Sequence, residues 1–116
     1  MFNIEFIHSP VSTPYIKEKA LQQFGVMVKA VVDLEKKIMT IGGELHADEE
    51  SEMLKAGSQQ QNLWGINIYP DMTGDDRIEF DSMINIRPSA NNRSRDVEDA
   101  GIRKQIIEIV NHLIID

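Results

Sequence analysis

Two β-rich runs, Val26–Val32 and Ile38–Ile41, are joined by little more than Leu34-Glu35-Lys36-Lys37. A parallel pair of strands needs a crossover of about a dozen residues or more, so these two must form an antiparallel hairpin. Alternation would put Val26, Val28, Ala30 and Val32 on one face of the first strand. Met27, Lys29, Val31 and Asp33 would take the other. Gly42-Gly43 then ends or bulges the second strand.

Three further strands are predicted around this hairpin. Phe2, Ile4 and Phe6 alternate with Asn3 and Glu5. Leu63–Tyr69 carries Trp64, Ile66 and Ile68 on one side. Ile78–Arg87 has the strongest alternation, with Ile78, Phe80, Ile84 and Ile86 on one face, until Pro88 stops it. Its other face would present Glu79, Asp81, Met83, Asn85 and Arg87.

Helical spacing accounts for the remainder. Thr13-Pro14 reads as an N-cap and first helical residue, with Ile16, Ala20 and Phe24 as an apolar stripe and Gly25 as the stop. Ala47–Lys55 reads as a short helix whose Asp48, Glu49 and Glu50 suit its positive end, with Met53 and Leu54 packing. The last helix is expected over about Val97–Ile115, with Ile102, Ile106, Ile109, Val110 and Leu113 facing inward. The order implies an α+β fold: a single mainly antiparallel sheet of four to five strands with three helices, mostly on one face. The opposite face would be partly open, exposing Val31, Met39 and Met83.

The chain reads as one domain over residues 1–116, long enough to build a core without staples. It has no cysteine, which excludes disulfides and thiolate chemistry and fits a cytoplasmic setting. No apolar run approaches the ~20 residues needed to cross a bilayer, so no membrane association is expected, and the N-terminus lacks the pattern of a secretory signal. A net charge of −7 disfavours sequence-independent nucleic-acid binding.

The wording of the chain also resembles a known group. It carries Val28-Lys29-Ala30-Val31-Val32-Asp33, Gly42-Gly43-Glu44-Leu45-His46-Ala47-Asp48-Glu49-Glu50 and Leu63-Trp64-Gly65-Ile66-Asn67. Phe80-Asp81-Ser82-Met83-Ile84-Asn85-Ile86-Arg87-Pro88 and Asn92-Arg93-Ser94-Arg95-Asp96-Val97-Glu98-Asp99 follow. This order resembles an uncharacterised family of short bacterial and archaeal proteins, a domain of unknown function. The resemblance implies a stand-alone prokaryotic domain and supplies no catalytic role.

Three polar clusters invite chemistry. Glu44 and His46, two residues apart, could contribute to an oxygen and nitrogen metal site, with a third ligand from Asp33, Glu79 or Asp81. An acid-rich helix start with a locally bonded His46 is the plainer alternative. Glu79, Asp81, Asn85 and Arg87 would share the polar face of a strand, as an acid–base pair or as solvated sheet surface. Arg87, Arg93 and Arg95 could hold an anion, unless Asp96, Glu98 and Asp99 consume their charge.

No cofactor is specified by any of these patterns. The first functional expectation is a small, soluble, non-catalytic binding or interaction module, with self-association into a homo-oligomer through the open face. The rivals are a metal-assisted hydrolase using Glu44, His46 and Asp81, and a small-anion-binding protein using Arg87, Arg93 and Arg95.

Overall fold

A computed structural model describes residues 2–116. The hairpin forms as expected: β3 (Val28–Asp33) and β4 (Ile38–Ile41) pair antiparallel, with Val32 opposite Met39. Asp33 closes the turn, its Oδ1 accepting the backbone N–H groups of Glu35 (2.9 Å) and Lys36 (3.0 Å). β1 (Glu5–Ile7) adds antiparallel to β4, and β5 (Leu63–Ile68) adds antiparallel to β3. A short β6 (Ile78–Glu79) completes a five-stranded antiparallel sheet in the order β1-β4-β3-β5-β6. A separate parallel pair joins β2 (Val11–Ser12) to β7 (Ile114–Ile115), tying the two ends of the fold together.

The helices are α1 (Thr13–Gln22), α2 (His46–Lys55) and α3 (Ala100–Leu113). Among the described residues no helix is long and apolar enough to cross a membrane. The N-cap of α1 is Ser12, not Thr13, because the Ser12 hydroxyl accepts the Tyr15 N–H. Asp99 caps α3 in the same way at Ile102, so Val97 lies before the helix and Ile114–Ile115 lie beyond it as a strand. Ile16 and Ala20 are buried as expected, whereas Phe24 lies past the end of α1 and is exposed.

Two of the three helices share one face of the sheet. Ile16 and Ala20 of α1 and Ile106, Ile109, Val110 and Leu113 of α3 pack with Val28, Ala30, Val32, Met39, Ile41, Trp64, Ile66 and Ile68. The opposite face is not open. There Met53 of α2 packs against Val31 and Leu63. Val31 and Met39 are wholly buried, on opposite faces, and only Met83 of the expected apolar patch is exposed. The hydrophobic drive that buries one sheet face acts equally on the other when it carries Val31, Leu63 and Phe6.

The expected long strand Ile78–Arg87 does not form. Pairing stops after Glu79, and residues 83–85 and 88–90 are short 3-10 turns. The alternation misleads because the apolar residues serve different faces. Ile78 and Phe80 pack with the α1/α3 core, whereas Ile84 packs with the α2 core. The chain crosses over β5 at Gly65, where a Cβ would sit 2.6 Å from the Ser82 side chain. Only a residue without a side chain admits so close a backbone approach.

Candidate functional site

The crossing segment is held by amides rather than by a ladder. Asn85 is wholly buried. Its Oδ1 accepts the Gly65 N–H (2.8 Å), and its Nδ2 donates to the carbonyls of Gly65 (2.9 Å) and Arg95 (3.0 Å). Asn92, also buried, donates to the carbonyls of Asn85, Ser94 and Asp96 and accepts the Glu98 N–H. Glu98 in turn takes the N–H groups of Arg93 and Ser94. An amide that imitates two neighbouring peptide groups can replace a missing strand in this way. The result is a fixed loop whose Arg95 side chain reaches Asp81 (Nε to Oδ1, 2.5 Å).

The start of α2 meets this loop from the other side. His46, Glu49 and Met53 form the inward stripe of α2. His46 Nε2 lies 2.7 Å from the Ile66 carbonyl, which can only accept. Nε2 therefore carries the proton, and in the neutral ring Nδ1 is left with a lone pair. Burial lowers the His46 pKa. Lys29 and Arg95 lower it further, while the Ile66 carbonyl and Asp81 oppose the shift. His46 is thus a neutral imidazole in the electrostatic field of the Asp81–Arg95 pair and of Lys29.

Glu49 was expected to suit the positive end of the helix. It is wholly buried, with Oε2 accepting the Gly43 N–H at 2.9 Å. Desolvation raises its pKa well above the ordinary value, which favours the neutral acid. A Cβ on Gly43 would lie 2.6 Å from the Glu49 Cγ, which explains the glycine there. Glu49 Oε1 and Asn67 Oδ1 are buried acceptors without a protein partner. Asn67 stands opposite Lys29 across β3 and β5, and its Nδ2 donates to Glu79 Oε1 (2.8 Å), which also accepts the Tyr69 hydroxyl (3.1 Å).

The candidate residues thus divide. His46 interacts electrostatically with Lys29, Asp81 and Arg95, Glu49 with Lys29, and Asn67 bonds Glu79; these links make up one polar basin. Asn85 supports it from beneath by anchoring the Arg95 backbone. Asp33 lies elsewhere, committed to the hairpin turn and to the Ser58 hydroxyl (2.6 Å). Glu44 is exposed. Among the described residues no three His, Asp or Glu side chains are grouped to hold a metal ion, so Glu44, His46 and Asp81 do not form the expected ligand set.

The three arginines do not converge as a free anion site. Arg87 lies over the Trp64 ring at 4.1 Å and donates to the carbonyls of Gln60 and Leu63. It ties the loop to the start of β5, a structural task that its bidentate fork suits. Arg95 is paired with Asp81, and Arg93 is exposed. Lys29, Glu49 and Asn67 were not among the sequence candidates. Lys29 and Asn67 were legible only as outward positions of strands whose pairing was not yet known.

Fold and site together define a small α+β domain with one polar basin beneath a crossing loop. The chain belongs to the family described as a protein of unknown function (DUF5674), whose profile matches residues 5–113. No curated protein and no solved structure matches the chain significantly.

Proposed function

We propose that this protein is a small non-catalytic binding module whose ligand contact is the basin around His46. The observation that carries the reading is the approach of His46 on α2 to the Asp81–Arg95 pair of the crossing loop, with Lys29 near both His46 and the buried Glu49. Charge is balanced there: Lys29 and Arg95 face Asp81 and Glu79, while His46 and Glu49 are neutral. Such a site favours a ligand read by hydrogen bonds over one held by net charge. The His46 Nδ1 lone pair would accept from the ligand, and the terminal nitrogens of Arg95 would donate to it. The Tyr69 hydroxyl donates to Glu79, and the Ser82 hydroxyl oxygen accepts the Ile84 N–H. The lack of cysteine supports a cytoplasmic setting.

The test is a panel of neutral amides, nucleobases and polyols, with phosphate and acetate as anionic controls, followed by amide chemical shifts. Neutral probes should shift residues of the α2 start and the crossing loop. Arg95→Ala should weaken that binding by about tenfold, as expected for loss of a charge-assisted hydrogen bond. Preferential binding of phosphate or acetate, or shifts confined to other regions, would overturn the reading.

A second reading, self-association, keeps some support from a different surface. Phe2 and Phe24 are in ring contact at 5.1 Å and partly exposed, and Leu21 (75%) at the end of α1 and Val26 (59%) in the α1–β3 connection stand out nearby in sequence. If this patch joins two copies, light scattering should give a dimer mass that Leu21→Lys with Val26→Lys reduces to a monomer. A monomeric wild-type protein at high concentration ends that idea.

A further inference from the structure

A cleft of about 420 Å³ runs between α3 and the β3–β4 turn, on the other side of the sheet from His46. One wall is a single face of α3: Gln105, Glu108, Ile109 and His112, at helical spacing. The other is Leu34 and Lys37 of the turn. Ile109 is buried and Leu34 half-buried, which gives an apolar floor. The rim carries both signs of charge.

None of the four polar rim side chains has a hydrogen bond or ion pair among the described residues. The ion pairs among the described residues, Lys17–Asp71, Lys19–Glu5, Lys55–Glu52 and Arg95–Asp81, all lie away from this rim. Lys37 also holds a left-handed backbone, φ 56°, that glycine adopts at no steric cost. A position that glycine would fill more easily instead carries a cation that meets nothing in the protein and lines the cleft.

We propose that this cleft binds a small zwitterionic amphiphile, of the chemical class of an α-amino acid with an apolar side chain. Lys37, with Gln105 and His112, takes the carboxylate. Glu108 takes the ammonium, and Leu34 and Ile109 take the side chain. The volume falls within the range of small-ligand pockets. Free charges of both signs over an apolar floor match this ligand better than a simple anion, which Glu108 would repel, or a hydrocarbon, which would leave the rim unpaired.

The probe is L-leucine, titrated into the ¹⁵N-labelled protein with leucinamide and N-acetyl-leucine as comparisons. Leucine should give saturable shifts along residues 105–112. Each comparison ligand lacks one charge and should bind about fivefold more weakly, the scale of an exposed ion pair. Lys37→Gly should abolish the preference for leucine over leucinamide while raising the melting temperature, and Glu108→Gln should abolish the preference over N-acetyl-leucine. The absence of saturable shifts with leucine would overturn the proposal. So would equal binding of all three ligands, or preferences that survive both substitutions.

Discussion

Replacing Asn85 with alanine is expected to cost about 3 kcal/mol or more of folding stability, because it strands several buried peptide groups at once. The Gly65 N–H and the Gly65 carbonyl lose their partner, and the Arg95 carbonyl is left with the Ser82 N–H alone. These groups lie in the interior, where Asn85 itself is wholly buried, so water cannot replace the amide without opening the loop. For a chain of this size the loss corresponds to a fall in melting temperature of roughly 10 °C or more. Urea unfolding of the two proteins measures it directly. Asn85→Asp should be damaging too, since a carboxylate keeps the bond from Gly65 N–H but cannot donate to either carbonyl. A loss under 1 kcal/mol for Asn85→Ala would mean that the loop is held in another way.

The second large effect concerns pH. The folded-state pKa of Glu49 is raised, so between the ordinary 4.5 and that higher value the folded protein keeps a proton that the unfolded chain releases. Stability contributed by this group is complete below 4.5 and falls as pH rises through that window, with a slope of up to about 1.4 kcal/mol per pH unit. His46 acts in the opposite sense. Its folded pKa lies below the ordinary 6.5, so its contribution is complete above 6.5 and is lost as pH falls through the folded value. Glu49→Gln keeps an oxygen for the Gly43 N–H and cannot ionise. The variant should therefore gain on the wild type as pH rises, and should keep the His46 slope below 6.5, with stability climbing toward a plateau near neutrality. Urea midpoints across the acid-to-alkaline range check this. Two superimposable pH profiles would show that Glu49 is not a buried neutral acid.

These two residues also mark where sequence reading succeeds and fails. The β3–β4 hairpin was legible because four linking residues leave only one pairing, and the α3 stripe was legible because its apolar spacing is uninterrupted. Ile78–Arg87 was misread because period-two alternation arises equally from a strand and from a crossing segment whose alternate residues serve two cores. Nothing local distinguishes them; the deciding facts are Gly65 and Asn85, twenty residues apart and bonded to each other. The burial of Glu49 was not legible for a similar reason. An acid in the first turn of a helix ordinarily faces water, and only the glycine at 43 makes room for it inside.

The basin was partly visible. His46, Asp81, Asn85 and Arg95 stood out as candidates in the sequence, though in separate clusters. The chemistry of the basin was not legible, because metal ligation or anion binding by these residues depends on convergence that their spacing does not determine. The structure brings His46 into the field of Asp81 and Arg95, leaves Glu44 exposed, and gives Asp33 and Arg87 other tasks.

Long-range ¹H–¹⁵N correlation of the imidazole of His46, followed across pH, is the most direct test of the proposed basin. A neutral ring protonated at Nε2 at neutral pH, with a titration midpoint below 6.5, is the expected result, because Nδ1 is then the free acceptor on which recognition depends. A ring protonated at Nδ1, or one that titrates above 6.5, would contradict the account and remove His46 from the site.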